Sequence, residues 1–318
     1  MSVASLRRAW PWIALALGVL LPPLAMALGQ EFYISLASRI AVLALLATSL
    51  NLLVGLGGMV SLGHAAFYGS GAYAVAIAAV EWPGNGWLAG QSALIAWPLA
   101  MAAGALLALV VGAISMRTRG LYFIMITLAF AQMVYYVFVS LKRYGGDDGL
   151  SLPRRSHLPG LDLASDTTFY YVVLAFLALA LLLFTRVVDS RFGTVLRAIK
   201  DNEARAESLG YPCTRYKLVA FVIAGAWAGL AGALMANQGS FVSPNLMHWE
   251  QSGTALVMVI LGGVGHAWGG LAGAAAFMLI EEILSGYTQR WPIGLGLVLL
   301  AVVFFAPRGI AGAFGKRE

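Results

Sequence analysis

Ten apolar runs, separated by short turns rich in Gly, Pro or charge, pattern this chain from end to end. The first covers Trp12 to Gly29, the second about Leu36 to Val54, and the third leads from Ser61 to about Val80. A fourth spans Ala93 to Met116, and a fifth follows at Arg119 as RGLYFIMITLAFAQMVYYVFVSL. Beyond a polar loop over 142–168 come a sixth run, Phe169 to Thr185, and a seventh that reaches Ala236. The eighth is short, about Ser252 to Leu261; the ninth ends near Ser285 and the tenth covers Trp291 to Ala306. A membrane crossing needs about 20 mostly apolar residues. The runs are continuously apolar rather than alternating, which predicts helices and excludes a barrel. The expected fold is all-α, a polytopic transmembrane helical bundle of about ten spans, forming one domain over residues 1–318.

One stretch interrupts the pattern. Residues 186–217, RVVDSRFGTVLRAIKDNEARAESLGYPCTRYK, hold seven of the twenty Lys and Arg. Within it Phe192, Val195, Leu196 and Ile199 recur at i, i+3, i+4 and i+7, which predicts an amphipathic helix of about two turns. Asp189 or Ser190 can cap its start, and Asp201-Asn202 offers a break with a fresh cap. A second short helix follows from about Glu203 to Leu209. Gly210 then supplies a left-handed position and Pro212 prevents continuation. Such a helix pair either lies on a lipid surface or seats in a groove on a partner protein.

Composition confirms the class: 60% of residues are apolar, 11% are charged, and the mean hydropathy is +0.83, far outside soluble norms. The net charge of +6 requires no nucleic acid, because basic residues accumulate on the cytoplasmic loops of membrane proteins. With both termini placed in the cytoplasm, the inner segments hold fourteen basic residues: Arg7, Arg8, Arg117, Arg119, the seven of the insert, Arg308, Lys316 and Arg317. Six remain outside: Arg39, Lys142, Arg143, Arg154, Arg155 and Arg290. This bias places the insert inside. Arg7 and Arg8 before the first run fit either a first helix or a signal peptide; an uncleaved helix is the expectation.

Candidate chemistry is sparse. The single Cys213 excludes an intramolecular disulfide, and His64, His157, His248 and His266 lack metal-ligand spacing. No G-x-x-x-x-G-K-[ST] loop occurs, so ATP is not bound by that route. No catalytic spacing of Ser, Cys or paired carboxylates is present, so neither an enzyme nor a cofactor is expected. Polar groups inside the runs cost about 3 kcal/mol if unpaired charges, which singles out a few residues. The glycine-rich break GGMVSLGHAAFYGSGAY, residues 57–73, exposes a helix start at Ser61 to His64, and Ser61, Gly63 and His64 are expected to border a solute path. Thr127, with Asn51 and Gln132, either lines such a path or bonds neighbouring helices. Glu281 and Glu282, late in the ninth run, mark a helix end or serve a proton-driven carrier. Gly225, Gly229 and Gly232 suit close helix packing. GGVGHAWGG echoes the first break, but at a non-equivalent helix, so internal symmetry is not inferred.

The motifs GGMVSLGHAAFYGSGAY, RTRGLYFIMITLAFAQM, GGDDGL, RFGTVLRAIKDNEARAESLGYPCTRYKLVAFVIAGAWAGLAGAL, ILGGVGHAWGGLAGAAAF and FFAPRG run in order over about Leu50 to Gly309. Together they resemble the LivM-type permeases of branched-chain amino acid ABC importers. That resemblance implies a permease in the bacterial inner membrane that works with a LivH-type permease, two cytoplasmic ATPases and an external substrate-binding protein. It further implies that the insert couples to an ATPase. The family pattern G-x-x-x-R-A-I-x-x-N-E-x-A-A-x-x-x-G falls on Gly193, Arg197, Ala198, Ile199, Asn202, Glu203, Ala206 and Gly210. Arg205 stands where Ala is usual, and GGDDGL replaces the commoner GG-[ST]-x-GL. A urea or short-chain amide permease would share every one of these motifs.

Overall fold

The computed structural model describes residues 18–27, 29–82, 84, 89–287, 289–305 and 309–314. Regular structure in them is helical apart from one two-residue strand pair. Helix α1 (Gly18–Ala27) turns at Gly29 into α2 (Phe32–Asn51), which continues as a π-helical turn over Leu52–Leu56. After the glycine-rich break come α3 (His64–Glu81), α4 (Ala93–Ser115), α5 (Leu121–Ser140) and α6 (Asp166–Val188). The insert forms α7 (Arg191–Asp201) and α8 (Glu203–Ser208), and α9 (Cys213–Gly239) returns through the bundle. Helices α10 (Trp249–Gly262), α11 (Gly269–Tyr287), α12 (Trp291–Phe305) and α13 (Gly309–Phe314) complete the described chain. Cleavage of the first run, and Arg7, Arg8, Arg308, Lys316 and Arg317, lie outside the described residues.

Six described helices are long and apolar enough to cross a membrane: Phe32–Leu56, Ala93–Ser115, Leu121–Ser140, Asp166–Val188, Cys213–Gly239 and Gly269–Tyr287. The ten apolar runs therefore do not give ten full-length spanning helices. At 1.5 Å per residue, the 14 residues of α10 rise about 21 Å and the 15 of α12 about 22 Å, short of a hydrocarbon core of ~30 Å. An all-helical reading also misses the antiparallel pair of β1 (Leu150–Ser151) with β2 (Phe241–Val242), in the register Leu150↔Val242. Two residues per strand are too few to leave a period in the sequence.

Helix α9 is the hub, packed on α2, α3 and α4. Its glycines allow backbone-to-backbone approach. A Cβ on Gly225 would fall on the Ala108 side chain and the Gly104 carbonyl, and one on Gly232 would meet the Tyr68 carbonyl and lie 3.0 Å from the Ala72 nitrogen. The small-residue reading of Gly225, Gly229 and Gly232 is thus what the packing shows.

The two ends of the bundle differ. At one end lie the insert, the α4–α5 turn and the break after α2. At the other, residues 141–165 and 240–248 meet the ends of α3, α5 and α9: Ser156 N–H bonds Asn237 Oδ1 at 2.6 Å, and Arg143 pairs with Glu81 at 2.7 Å. Tyr144 also donates to Glu81 at 3.0 Å, and this bond raises its phenol pKa above the ordinary value. Gly309 of α13 packs on Gly263, which places α13 at the insert end.

Candidate functional site

The insert folds as helix, kink, helix, stop. Ser190, not Asp189, caps α7, its Oγ accepting from Gly193 N–H at 3.2 Å. Asn202 has left helical geometry and its Oδ1 accepts from Arg205 N–H at 3.0 Å, starting α8. Gly210 takes φ +86° with nothing near its missing side chain, so its role is conformational. Because α6 persists to Val188 and α9 starts at Cys213, the insert proper is residues 189–212, and Arg186, Arg215 and Lys217 sit on helix ends.

The stripe residues Leu196 and Ile199 are buried and Phe192 and Val195 half-buried, with Phe192 stacked on Tyr216. Gly193 has room for no side chain, since a Cβ would lie 2.9 Å from the Val188 carbonyl oxygen and closer still to that of Val187. The Arg197 guanidinium donates to the Val188 carbonyl. Ala206 packs with Ile199 and Cys213. Glu203 holds Lys217 at 2.7 Å and Arg119 at 3.5 Å, while Glu207 holds Arg119 at 3.0 Å. All the predicted coupling residues except Ala198 therefore fold the insert or fasten it to the bundle; Ala198 faces water. The outward surface of the insert carries apolar groups too, Leu209 at 70% and Tyr211 at 43% exposure.

The structure also brings Ser61, Gly63, His64 and Thr127 together. Ser61 Oγ accepts from Gly63 N–H at 3.1 Å, and a Cβ on Gly63 would lie 2.9 Å from the Thr127 carbonyl oxygen. His64 Nε2 lies 2.8 Å from Ser49 Oγ on α2, and its Nδ1 has no partner. Ala65 N–H donates to Ser252 Oγ of α10 at 2.8 Å. The donors at the start of α3 are therefore held by Ser61 and Ser252, so a passing anion would have to displace a hydroxyl. Ser61, His64, Thr127 and Ser252 are each 0% exposed, so this cluster is shut to water in this conformation.

The π-helical end of α2, which leads into the first glycine-rich break, touches the second. A Cβ on Gly55 would lie 2.5 Å from Gly265 Cα. Asn51 spans the contact, its Oδ1 accepting from Gly265 N–H at 2.8 Å and its Nδ2 donating to the His266 carbonyl at 2.7 Å. The insert reaches the same point, for Lys200 Nζ donates to the Gly55 carbonyl at 2.8 Å. Beside this contact a cleft of about 390 Å³ is lined by Met59, Met116, Arg119, Phe123, Lys200 and Lys217.

The sequence profile of the family described as branched-chain amino acid transport system, permease component, matches residues 32–307. The chain belongs to this family. It is accordingly a multi-pass membrane permease component and not a catalyst. The high-affinity branched-chain amino acid permease protein LivM of Salmonella typhimurium is 28% identical over 301 residues, 87% of this chain and 69% of that protein, and the LivM of Escherichia coli K12 matches to the same extent. LivH of Escherichia coli K12 is 31% identical over 154 residues, 47% of this chain and 49% of that protein. No solved structure matches this chain significantly.

Within this permease, Ser49 and Ser252 join the candidate site and Lys200 reaches the helix end beside it, none of them singled out from the sequence, whereas Asn51 was. Asn51 bonds the neighbouring break, while Thr127 Oγ1 donates to its own helix at the Ile124 carbonyl. Gln132 Nε2 is buried without a partner. Glu281 is half-buried and Glu282 exposed near the end of α11.

Proposed function

We propose that this chain is the LivM-type half of an ATP-driven importer of branched-chain amino acids in the bacterial inner membrane. It forms the path with a LivH-type permease and is served by two cytoplasmic ATPases and an external substrate-binding protein. The observation that carries the reading is the insert itself: a capped helix pair whose inner stripe is buried on the bundle while Leu209 and Tyr211 stay uncovered. Two apolar side chains held out on a polar, folded platform suit a groove on a soluble partner. Direction alternates between the two ends from α2 onward, which supports ten crossings with α1, α3, α10 and α12 counted as shorter passes. The basic residues of the insert and of the α4–α5 turn support a cytoplasmic position for that end, and with it for both termini. Gly193, Arg197, Ile199, Asn202, Glu203, Ala206 and Gly210 then set the shape of the coupling element, with Ala198 on its outer face. Ser61, Gly63, His64 and Thr127 form a closed point on the solute path.

Co-expression with the two ATPases tests this directly. Leu209→Asp and Tyr211→Asp should each strip ATPase from the purified complex while membrane insertion stays unchanged. ATPase retention by the double variant, or uphill leucine uptake by the permease alone, removes the proposal. Ligand titration of the cognate binding protein with leucine and with urea decides the cargo. Cysteines placed at Ser61 and Ala65 should become reactive to water-soluble thiol reagents during turnover; protection throughout the cycle takes them off the path.

A further inference from the structure

We infer that Lys200 is the positioning residue through which the insert moves both glycine-rich breaks, by way of the Gly55 carbonyl. The inference rests on the coupling role proposed for the insert. It starts from the end of α2. The π-helical turn over Leu52–Leu56 disrupts the ordinary ladder, and both Gly57 N–H and Met59 N–H turn back to the Leu53 carbonyl. The Gly55 carbonyl is thereby left at the helix end, and the Lys200 ammonium takes it at 2.8 Å. A π turn inside an α-helix is a local irregularity that can be reset by one residue, which suits a point of movement.

The contact is built on both sides. Gly58 sits at φ +63°, and a Cβ there would lie 2.9 Å from Lys200 Cγ, so the lysine stem lies directly over the backbone of the break. On the far side, Gly55 abuts Gly265, and Asn51, one turn earlier, holds Gly265 N–H and the His266 carbonyl. One ammonium thus joins α7 to the end of α2 that leads into the break before α3, and one amide joins that helix end to the loop between α10 and α11. Helix α10 in turn supplies Ser252 to the N–H of Ala65, beside His64. Movement of α7 is transmitted along hydrogen bonds to the closed cluster through the π-helical end of the Phe32–Leu56 span. The other polar fastenings of the insert, Arg197 to Val188, Glu203 to Lys217, and Glu203 and Glu207 to Arg119, end on α6, α9 and the α4–α5 turn and do not bond either break.

The test uses the complete transporter in proteoliposomes with its ATPases and binding protein. Lys200→Met keeps most of the stem and removes the donor. Bound ATPase and basal ATP hydrolysis should match wild type while leucine taken up per ATP falls about tenfold, the factor contributed by a charge-assisted hydrogen bond, and Lys200→Arg should restore it. Unchanged uptake per ATP in Lys200→Met overturns the inference, and so does loss of bound ATPase, which would make Lys200 an interface residue. If the wild-type chain itself binds no ATPase, the coupling reading has failed instead. A second variant does not depend on the first. In a Cys213→Ala background, Gly58→Cys with Lys200→Cys faces a Cβ to Cβ separation of 3.6 Å, within disulfide range. Reduced, it should be uncoupled; oxidised, the covalent link should raise uptake per ATP. A disulfide that forms and leaves uptake per ATP unchanged overturns the inference equally.

Discussion

Replacing Gly71 by Ala tests the packing that holds the bundle together, because two known effects pull in opposite directions. In a helix interior, Ala is favoured over Gly by about 0.8–1 kcal/mol. At position 71, however, the new Cβ would lie 2.5 Å from Gly229 Cα and nearer still to the Gly229 carbonyl oxygen. Ordinary contact begins at 3.4 Å, so α3 and α9 must part by at least about 0.9 Å or distort. Gly229 also sits against the Ala100 carbonyl of α4, so the strain spreads over three helices. Overpacking of this kind costs about 1–3 kcal/mol, which turns a propensity gain into a net loss. Gly253→Ala is the matched control: it lies inside α10 with nothing within 4 Å of its missing side chain. The propensity gain is common to both variants, so their difference isolates the packing cost. The assay is thermal unfolding of the two purified variants side by side in one detergent. Gly253→Ala should melt at or above wild type and Gly71→Ala below it. Equal melting of the two variants would refute the claim that glycines set the α3–α9 approach.

Three further outcomes follow from the site. Glu203→Gln loosens its ion pairs with Lys217 and Arg119 and should destabilise α8 by about 1 kcal/mol, seen as faster protease nicking between residues 200 and 212. Gly210→Ala places a side chain at φ +86°, costing about 1–2 kcal/mol with no clash; the same nicking assay should register it, and Gly210→Asn should be milder. Ser252→Ala leaves the buried Ala65 N–H without its partner at a cost of about 1–3 kcal/mol, lowering the melting temperature more than Thr254→Ala, whose hydroxyl only bonds its own helix.

The apolar runs, the caps at Ser190 and Asn202 and the stop at Gly210 were legible because each is written in neighbouring residues. Periodicity and cap chemistry act over one or two turns, and that is the range a single sequence reports well. Helix ends moved by a few residues, as α6 shows by persisting to Val188 until Ser190 offers a cap. The contacts that assemble the site were not legible for the same reason. Lys200 lies on the polar side of α7 and reads as a solvated cation, yet its partner is a carbonyl 145 residues away. Asn51 was named among the buried polar groups without its partners, because Gly265 and His266 lie beyond any local pattern. The echo between the two glycine-rich breaks was visible as text. What it could not convey was that the end of α2 leading into the first break touches the second, since contact between non-equivalent helices depends on how α2, α10 and α11 pack.

The breaks matter because of what lipid forbids. In hydrocarbon every backbone donor and acceptor needs a partner, and a continuous helix supplies them all from within itself. Where this chain stops being helical, side chains substitute: Ser61 for Gly63 N–H, Ser252 for Ala65 N–H, Asn51 for Gly265 N–H, and Lys200 for the Gly55 carbonyl. A full-length span cannot shift its bonding pattern without opening its own ladder. A side-chain partner can rotate away and be replaced by another hydroxyl, by water or by a solute's carboxylate. Motion within the bundle is therefore confined to the places where bonding is already borrowed from other elements, and only one of those four partners, Lys200, belongs to the insert. On the inference drawn above, a cycle driven from that end reaches the cluster around His64 by way of the Gly55 carbonyl.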